Sequence, residues 1–218
     1  MFYQFDWSAI FYPELWLSAL WVTFAYAVFS ILGGLLIGLV FGVAMLSKSR
    51  IVRIVVGVYV QLFRCTPLLV QIVWFFYALP MLTGMQLSAW FAAGLGLTLY
   101  MGAFCTEIFR AGVMSIERGQ WQAAMALGMR YRDMMVNIIL PQAFRRMLPP
   151  VVSQSILQLK NTSLLYVVAV PDLMYTASVV TSTTYRPLEA YTFVALIYLV
   201  ILYPLTAFSK RLEARNDI

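Results

Sequence analysis

From residue 15 to residue 47, between Glu14 and Lys48, the chain carries no charged side chain. A water-facing element of that length would place a polar group at every second or third position. This tract is therefore solvated by lipid or by other apolar tracts. About 20 apolar residues suffice to cross a hydrocarbon core of about 30 Å, and the run WLSALWVTFAYAVFSILGGLLIGLVFGVAML reads as one long, tilted transmembrane helix. Composition agrees, since 62% of the residues are hydrophobic and only 11% charged, where a soluble domain carries about 25% charge.

The same reasoning gives an all-α integral membrane protein, one transmembrane domain over residues 1–218, with five transmembrane helices at about 17–46, 54–79, 88–110, 149–169 and 190–209. The second span contains Arg64 and ends at Pro80, and the third ends near Thr106 and Glu107. The fourth is interrupted by Gln158, Lys160, Asn161, Thr162 and Ser163. Orientation follows from the positive-inside rule. Lys48, Arg50 and Arg53, then Arg110, Arg118, Arg130, Arg132, Arg145 and Arg146, then Lys210, Arg211 and Arg215 all fall on one side, against Arg186 alone on the other. The N-terminus is expected outside and the C-terminus in the cytoplasm. Topology explains the net charge of +6 without a nucleic-acid surface. The opening MFYQFDWSAIFYPELW has no basic stretch ahead of its apolar residues, so it is not read as a cleavable signal peptide. Its aromatic residues suit the membrane interface.

There is no histidine, which excludes His-based acid–base catalysis, Ser-His and Cys-His pairs and His-held zinc or haem. Cys65 and Cys105 lie in apolar tracts and read as small buried hydrophobes. Ser30, Gly34, Gly38 and Gly42 form a small-residue stripe on the first span, where another helix can approach closely. Packing within the chain and a subunit interface both fit that stripe.

The segment 111–146 is the longest cytoplasmic stretch, and it is not disordered in composition. SIERGQWQAAMALG reads as a short helix of good formers stopped by Gly128. Asp133 is positioned to cap a second short helix, MMVNIIL, which Pro141 closes. On the first helix Ala123, Ala124 and Leu127 are expected to share a flat face fit to enter a groove. Such a loop is built to dock on a cytoplasmic partner.

Gln122, Ala123 and Ala124, followed by Gly128 and then by Ile138, Leu140 and Pro141, resemble the EAA loop of permease subunits of bacterial ATP-binding-cassette importers. RCTPLLVQ at 64–71, EIFRAGV at 107–113, ILPQAFRRMLP at 139–149 and LKNTSLLYVVAVPDL at 159–173 resemble the polar amino-acid branch of that family. The likeness extends over about 18–210. It implies that Gln122, Ala123, Ala124, Gly128, Ile138, Leu140 and Pro141 couple the chain to a cytoplasmic ATPase dimer. Gln122 stands where the family carries an acidic residue, so docking by shape carries over and a salt bridge from that position does not. The resemblance further implies a second permease subunit, identical or homologous, an extracytoplasmic solute-binding protein, an amino-acid substrate and a place in the bacterial inner membrane among its lipids. No cofactor or metal is expected on this chain. ATP and magnesium belong to the partner ATPase, as the lack of any G-x-x-x-x-G-K-[ST] string requires.

Ionisable groups deep in the membrane are costly and demand a reason. Lys160 lies 14 residues beyond Arg146, about 21 Å along a helix. With Asn161, Thr162 and Ser163 it either offers donors and acceptors to a zwitterion or pairs with Glu107 or a carbonyl to hold the bundle. Arg64, with Thr66 beside it, is either a pathway residue or the partner of a carbonyl freed at Pro67. Glu107 and Arg110 fit an intrahelical pair. Two other function classes fit less well. An ion-coupled carrier or channel needs no long helical cytoplasmic loop, and an intramembrane enzyme would need Ser153 or Ser163 paired with Lys160.

Overall fold

Proline at the first helical position and an acidic residue in the first turn suit a helix start, and α1 (Pro13–Met45) opens with Pro13 and Glu14. The computed structural model describes residues 4–216, and every regular element among them is helical. After α1 come α2 (Arg50–Cys65), α3 (Leu68–Thr83), α4 (Ala89–Met114), α5 (Arg118–Ala126), α6 (Tyr131–Val168), α7 (Leu173–Thr184) and α8 (Pro187–Asn216). Three helices, Pro13–Met45, Ala89–Met114 and Pro187–Ala214, are each long and apolar enough to cross a membrane. The number rises to five when the bent pairs α2–α3 and α6–α7 are each taken as one span.

The small-residue stripe packs within the chain. Ser30, Gly34, Gly38 and Gly42 are the buried side of this half of α1. A Cβ on Gly34 would lie 2.3 Å from Met101 Cγ, one on Gly38 2.3 Å from Cys105 Cβ, and one on Gly42 2.7 Å from Phe109 Cβ. The partners advance in step along α4, so the two helices run parallel with their backbones in near contact. Gln158 of α6 locks the pair, its amide donating to Ser30 Oγ at 3.1 Å and to the Leu97 carbonyl at 2.9 Å.

The helix break expected at Pro67 is present, whereas the helix end expected at Pro141 is corrected. The expected span 54–79 is two helices meeting at 107°. Pro67 has no N–H and pushes the residue before it out of the helical region, and Thr66 is extended at φ −106°, ψ 142°. Conversely, Pro141 does not close a short helix. Leu140 remains helical at φ −62°, ψ −39°, and α6 runs on through Pro141, Pro149 and Pro150 to Val168. A wide π turn at Met135–Ile139 stands just ahead of Pro141, and such a turn gives room where a proline ring would strike the preceding carbonyl. Asp133 lies within the first turn of α6, with Arg130 in the capping position. The stretch between the expected spans 149–169 and 190–209 contains α7, bent by 45° from α6 and capped by Asp172, which accepts from Tyr175 N at 2.8 Å.

Three apolar clusters lie along the bundle. Trp16 and Ala19 of α1 meet Ala177 of α7 and Val194 of α8 at the start of α1. Tyr26, Ile72, Leu97 and Leu165 fill the middle. Val113, Ile116, Ala124, Ile139 and Met147 join the end of α4 to α5 and α6.

Candidate functional site

The segment after α4 is held by its own chemistry. Gly128 takes φ +72°, a conformation open to glycine and strained for most other residues. Its N–H reaches Met125 O at 3.0 Å, while Met129 N reaches Ala124 O at 3.2 Å. These are the two closing bonds of a Schellman end, and Met129 packs with Ala124 in the same cluster as that motif favours. The Arg146 guanidinium donates to the Ser115 carbonyl, tying the end of the segment to its beginning.

The face expected on α5 is divided. Ala123 and Leu127 point outward, Leu127 being 79% exposed, whereas Ala124 is 1% exposed and packs inward against Val113, Ile116 and Ile139. Ala124 sits about 100° round the helix from Ala123, on the side turned toward the cluster. Gln122, Met125 and Ala126 complete the exposed side. On α6, Ile138 is half-buried against the cluster, and Leu140 and Pro141 are exposed.

Arg64 does not take up the carbonyls freed at Pro67. Its guanidinium lies 5.3 Å over the Phe104 ring. The freed groups go to Gln71, whose buried amide nitrogen donates to Phe63 O at 2.9 Å, Thr66 O at 3.1 Å and Thr66 Oγ1 at 2.7 Å. Thr66 Oγ1 in turn donates to Leu62 O at 2.7 Å. Sequence reasoning missed Gln71, although a glutamine in the apolar run four residues after Pro67 was its signal.

Glu107 pairs with Arg110 on the same helix, with Arg110 Nε donating to Glu107 Oε2 at 3.0 Å. Lys160 is thus not its partner. Lys160 is exposed and lines a shallow groove of about 300 Å³ between α6 and α8, with Ser153, Leu157, Thr206 and Glu213. Its neighbours in sequence diverge around the helix. Thr162 is buried and donates to Leu159 O at 2.8 Å, Ser163 donates to Lys160 O at 2.8 Å, and Asn161 buries an amide nitrogen that has no partner among the described residues. Within one chain, then, Arg64 faces α4 and Lys160 faces α8, and the expected pathway residues do not converge. Neither serine hydroxyl is hydrogen-bonded to the Lys160 side chain as a lysine-activated nucleophile would be. Ser153 Oγ is bonded to Ser209 and Glu213, and Ser163 Oγ to a backbone carbonyl.

A further buried polar group was also missed. Asp172 is fully buried, with Oδ2 unpartnered among the described residues. An aspartate following proline in an otherwise uncharged stretch was the available signal.

Comparison with known proteins fits this arrangement. Over 218 residues the chain is 36% identical to the glutamine transport system permease protein GlnP of Escherichia coli K12, covering 99% of both. Over 199 residues it is 35% identical to the arginine transport system permease protein ArtQ of Bacillus subtilis 168, covering 91% of both. The fold matches a chain of an amino acid ABC transporter solved with histidines, with a TM-score of 0.91 and 31% identity, over 98% of this chain and 100% of that one. Residues 34–218 match the model of the binding-protein-dependent transport system inner membrane component, and the chain belongs to that family.

Proposed function

We propose that this permease subunit moves a polar amino acid across the bacterial inner membrane by alternating access, driven by ATP hydrolysis on a separate ATPase dimer. The observation that carries the mechanism is the continuity of α6. One helix leads from the docking segment at Tyr131 through Lys160 to Val168, roughly 55 Å. Movement imposed at α5 therefore reaches the membrane interior without a loop to absorb it. The exposed side of α5, with Gln122, Ala123 and Leu127, faces the ATPase, while Gly128, Ala124 and Ile138 hold α5 against α6.

The amino-acid class rests on the relatives named for glutamine and arginine. Five spans with the N-terminus outside are supported by the charges. Lys48, Arg50, Arg53, Arg118, Arg130 and Arg132 gather at the end of the bundle that holds α5, while Arg186 at the other end binds the Gln4 carbonyl. Arg64, Thr66 and the 160–163 string lie on exposed or half-exposed surface apart from buried Thr162. A second permease subunit would bring two such surfaces around one path, with a solute-binding protein delivering the substrate. ATP and magnesium are bound by the ATPase subunits.

The test is reconstitution in vesicles with the ATPase, the second permease subunit and the solute-binding protein. Uptake of a labelled amino acid and stimulated hydrolysis should both require all of these components. Hydrolysis by the isolated chain, or uptake without ATP, contradicts the reading. A reporter active only outside should work after Thr83 or Thr183 and fail after Gly119. Activity after Gly119 contradicts the orientation.

A further inference from the structure

At the end of the bundle that holds α5, a groove of about 720 Å³ opens beside α1, within the size range of about 300–1,000 Å³ that ligand pockets occupy. Its walls are Leu39 and Val43 of α1, Phe109 of α4, and Met135, Leu140 and Phe144 of α6. Polar groups enter only at the mouth, where Ser47 and Tyr131 stand. The groove is continuous with the apolar flank of α1, on which Leu32, Leu36, Val40 and Val43 are exposed. A helix side of that kind faces lipid.

Charge at the mouth is strongly one-sided. Lys48 follows Ser47, Arg50 and Arg53 lie in the first turns of α2, and Arg130 and Arg132 flank Tyr131. Within segments 47–53 and 130–133 these five basic residues stand against one acidic residue, Asp133. Hydrocarbon walls below a basic rim match the two halves of one molecule, an acyl chain and a phosphate.

We propose that this groove holds an acyl chain of an anionic phospholipid of the cytoplasmic leaflet, with the headgroup phosphate at Lys48, Arg130 and Arg132. The site wedges the end of α1 against the first turns of α6, next to the π turn and within the same packing cluster as α5. A lipid seated there braces the joint through which α5 moves α6. The assignment to the cytoplasmic leaflet rests on the proposed orientation, which the reporter fusions test separately.

The experiment uses the assembled transporter in nanodiscs containing phosphatidylglycerol, phosphatidylcholine or both, with retained lipid measured by native mass spectrometry. Phosphatidylglycerol should be retained in preference to phosphatidylcholine. One basic side chain near an anionic lipid is worth roughly a fivefold factor, so Lys48→Gln with Arg130→Gln and Arg132→Gln should reduce retention at least tenfold. Val43→Trp, which fills the groove, should displace either lipid. Equal retention of both lipids by the unaltered protein overturns the proposal, as does full retention by either variant. Should a variant fail to assemble, the unaltered complex still decides. Phosphatidylglycerol with a photoreactive acyl chain should label residues within 39–47 and 131–147. Labelling confined elsewhere, or a cross-link from Val43→Cys to another subunit, overturns it.

Discussion

Pro67 and Pro141 are alike in sequence, each set in an apolar stretch of a membrane protein, yet the chain turns through 107° at one and runs on at the other. At Pro67 the preceding residue is extended, and the acceptors this exposes are taken by the buried Gln71 amide and the Thr66 hydroxyl. At Pro141 the preceding residue remains helical and a π turn accommodates the ring. Unpaired carbonyls in apolar surroundings are costly. A proline therefore breaks a membrane helix where a nearby side chain can satisfy the opened backbone, and is carried through where the helix itself can widen. The consequence is functional: the broken span places Arg64 and Thr66 at a corner, while the unbroken one joins α5 to Lys160.

The largest test is to make the second region behave like the first. Two glycines inserted after Gln142 remove about 1 kcal/mol each of helix preference and put a hinge in α6. Vesicle uptake should fall to background while ATP hydrolysis by the reconstituted complex continues. Retained uptake would show that continuity of α6 does not transmit the motion.

Next in size is Lys160→Met, at the far reach of the same helix. Its exposed position predicts normal assembly by size exclusion. If the ammonium holds a substrate carboxylate, loss of one charge-assisted bond of about 1.5–3 kcal/mol weakens transport by about 10- to 150-fold. Unchanged uptake would remove residues 160–163 from the pathway.

Gln71→Leu tests the broken region directly. It leaves the Phe63 and Thr66 carbonyls without their donor, at about 1–3 kcal/mol for each buried group, and the thermal unfolding midpoint should fall. Gln71→Asn, shorter by one methylene, should not restore it. An unchanged midpoint would mean that water satisfies the corner. The smallest effect belongs to Pro141→Ala. Proline costs about 3 kcal/mol in an ordinary helix interior, but here the π turn has already given it room, so the unfolding free energy from denaturant titration should change by less than about 1 kcal/mol. A rise near the full amount would show that the proline is strained after all.

The readable parts of this chain were those governed by local chemistry. The uncharged tract 15–47 was legible as a membrane helix, Gly128 could stop a helix because glycine takes φ +72° without strain, and Glu107 could reach Arg110 because residues three apart share a helix face. Tertiary structure decided the rest, because each remaining question turned on a distant partner. The stripe from Ser30 to Gly42 could have met any helix, and it met α4 because Gln158 bridges Ser30 to Leu97. Ala124 was legible as small but not as buried, since its direction depends on which side of α5 rests on Ile139. The prolines were legible as punctuation, but whether each bent the chain depended on what could satisfy the backbone around it. Periodicity and composition fix which segments prefer lipid and helix, whereas only the assembled bundle fixes which polar groups have partners.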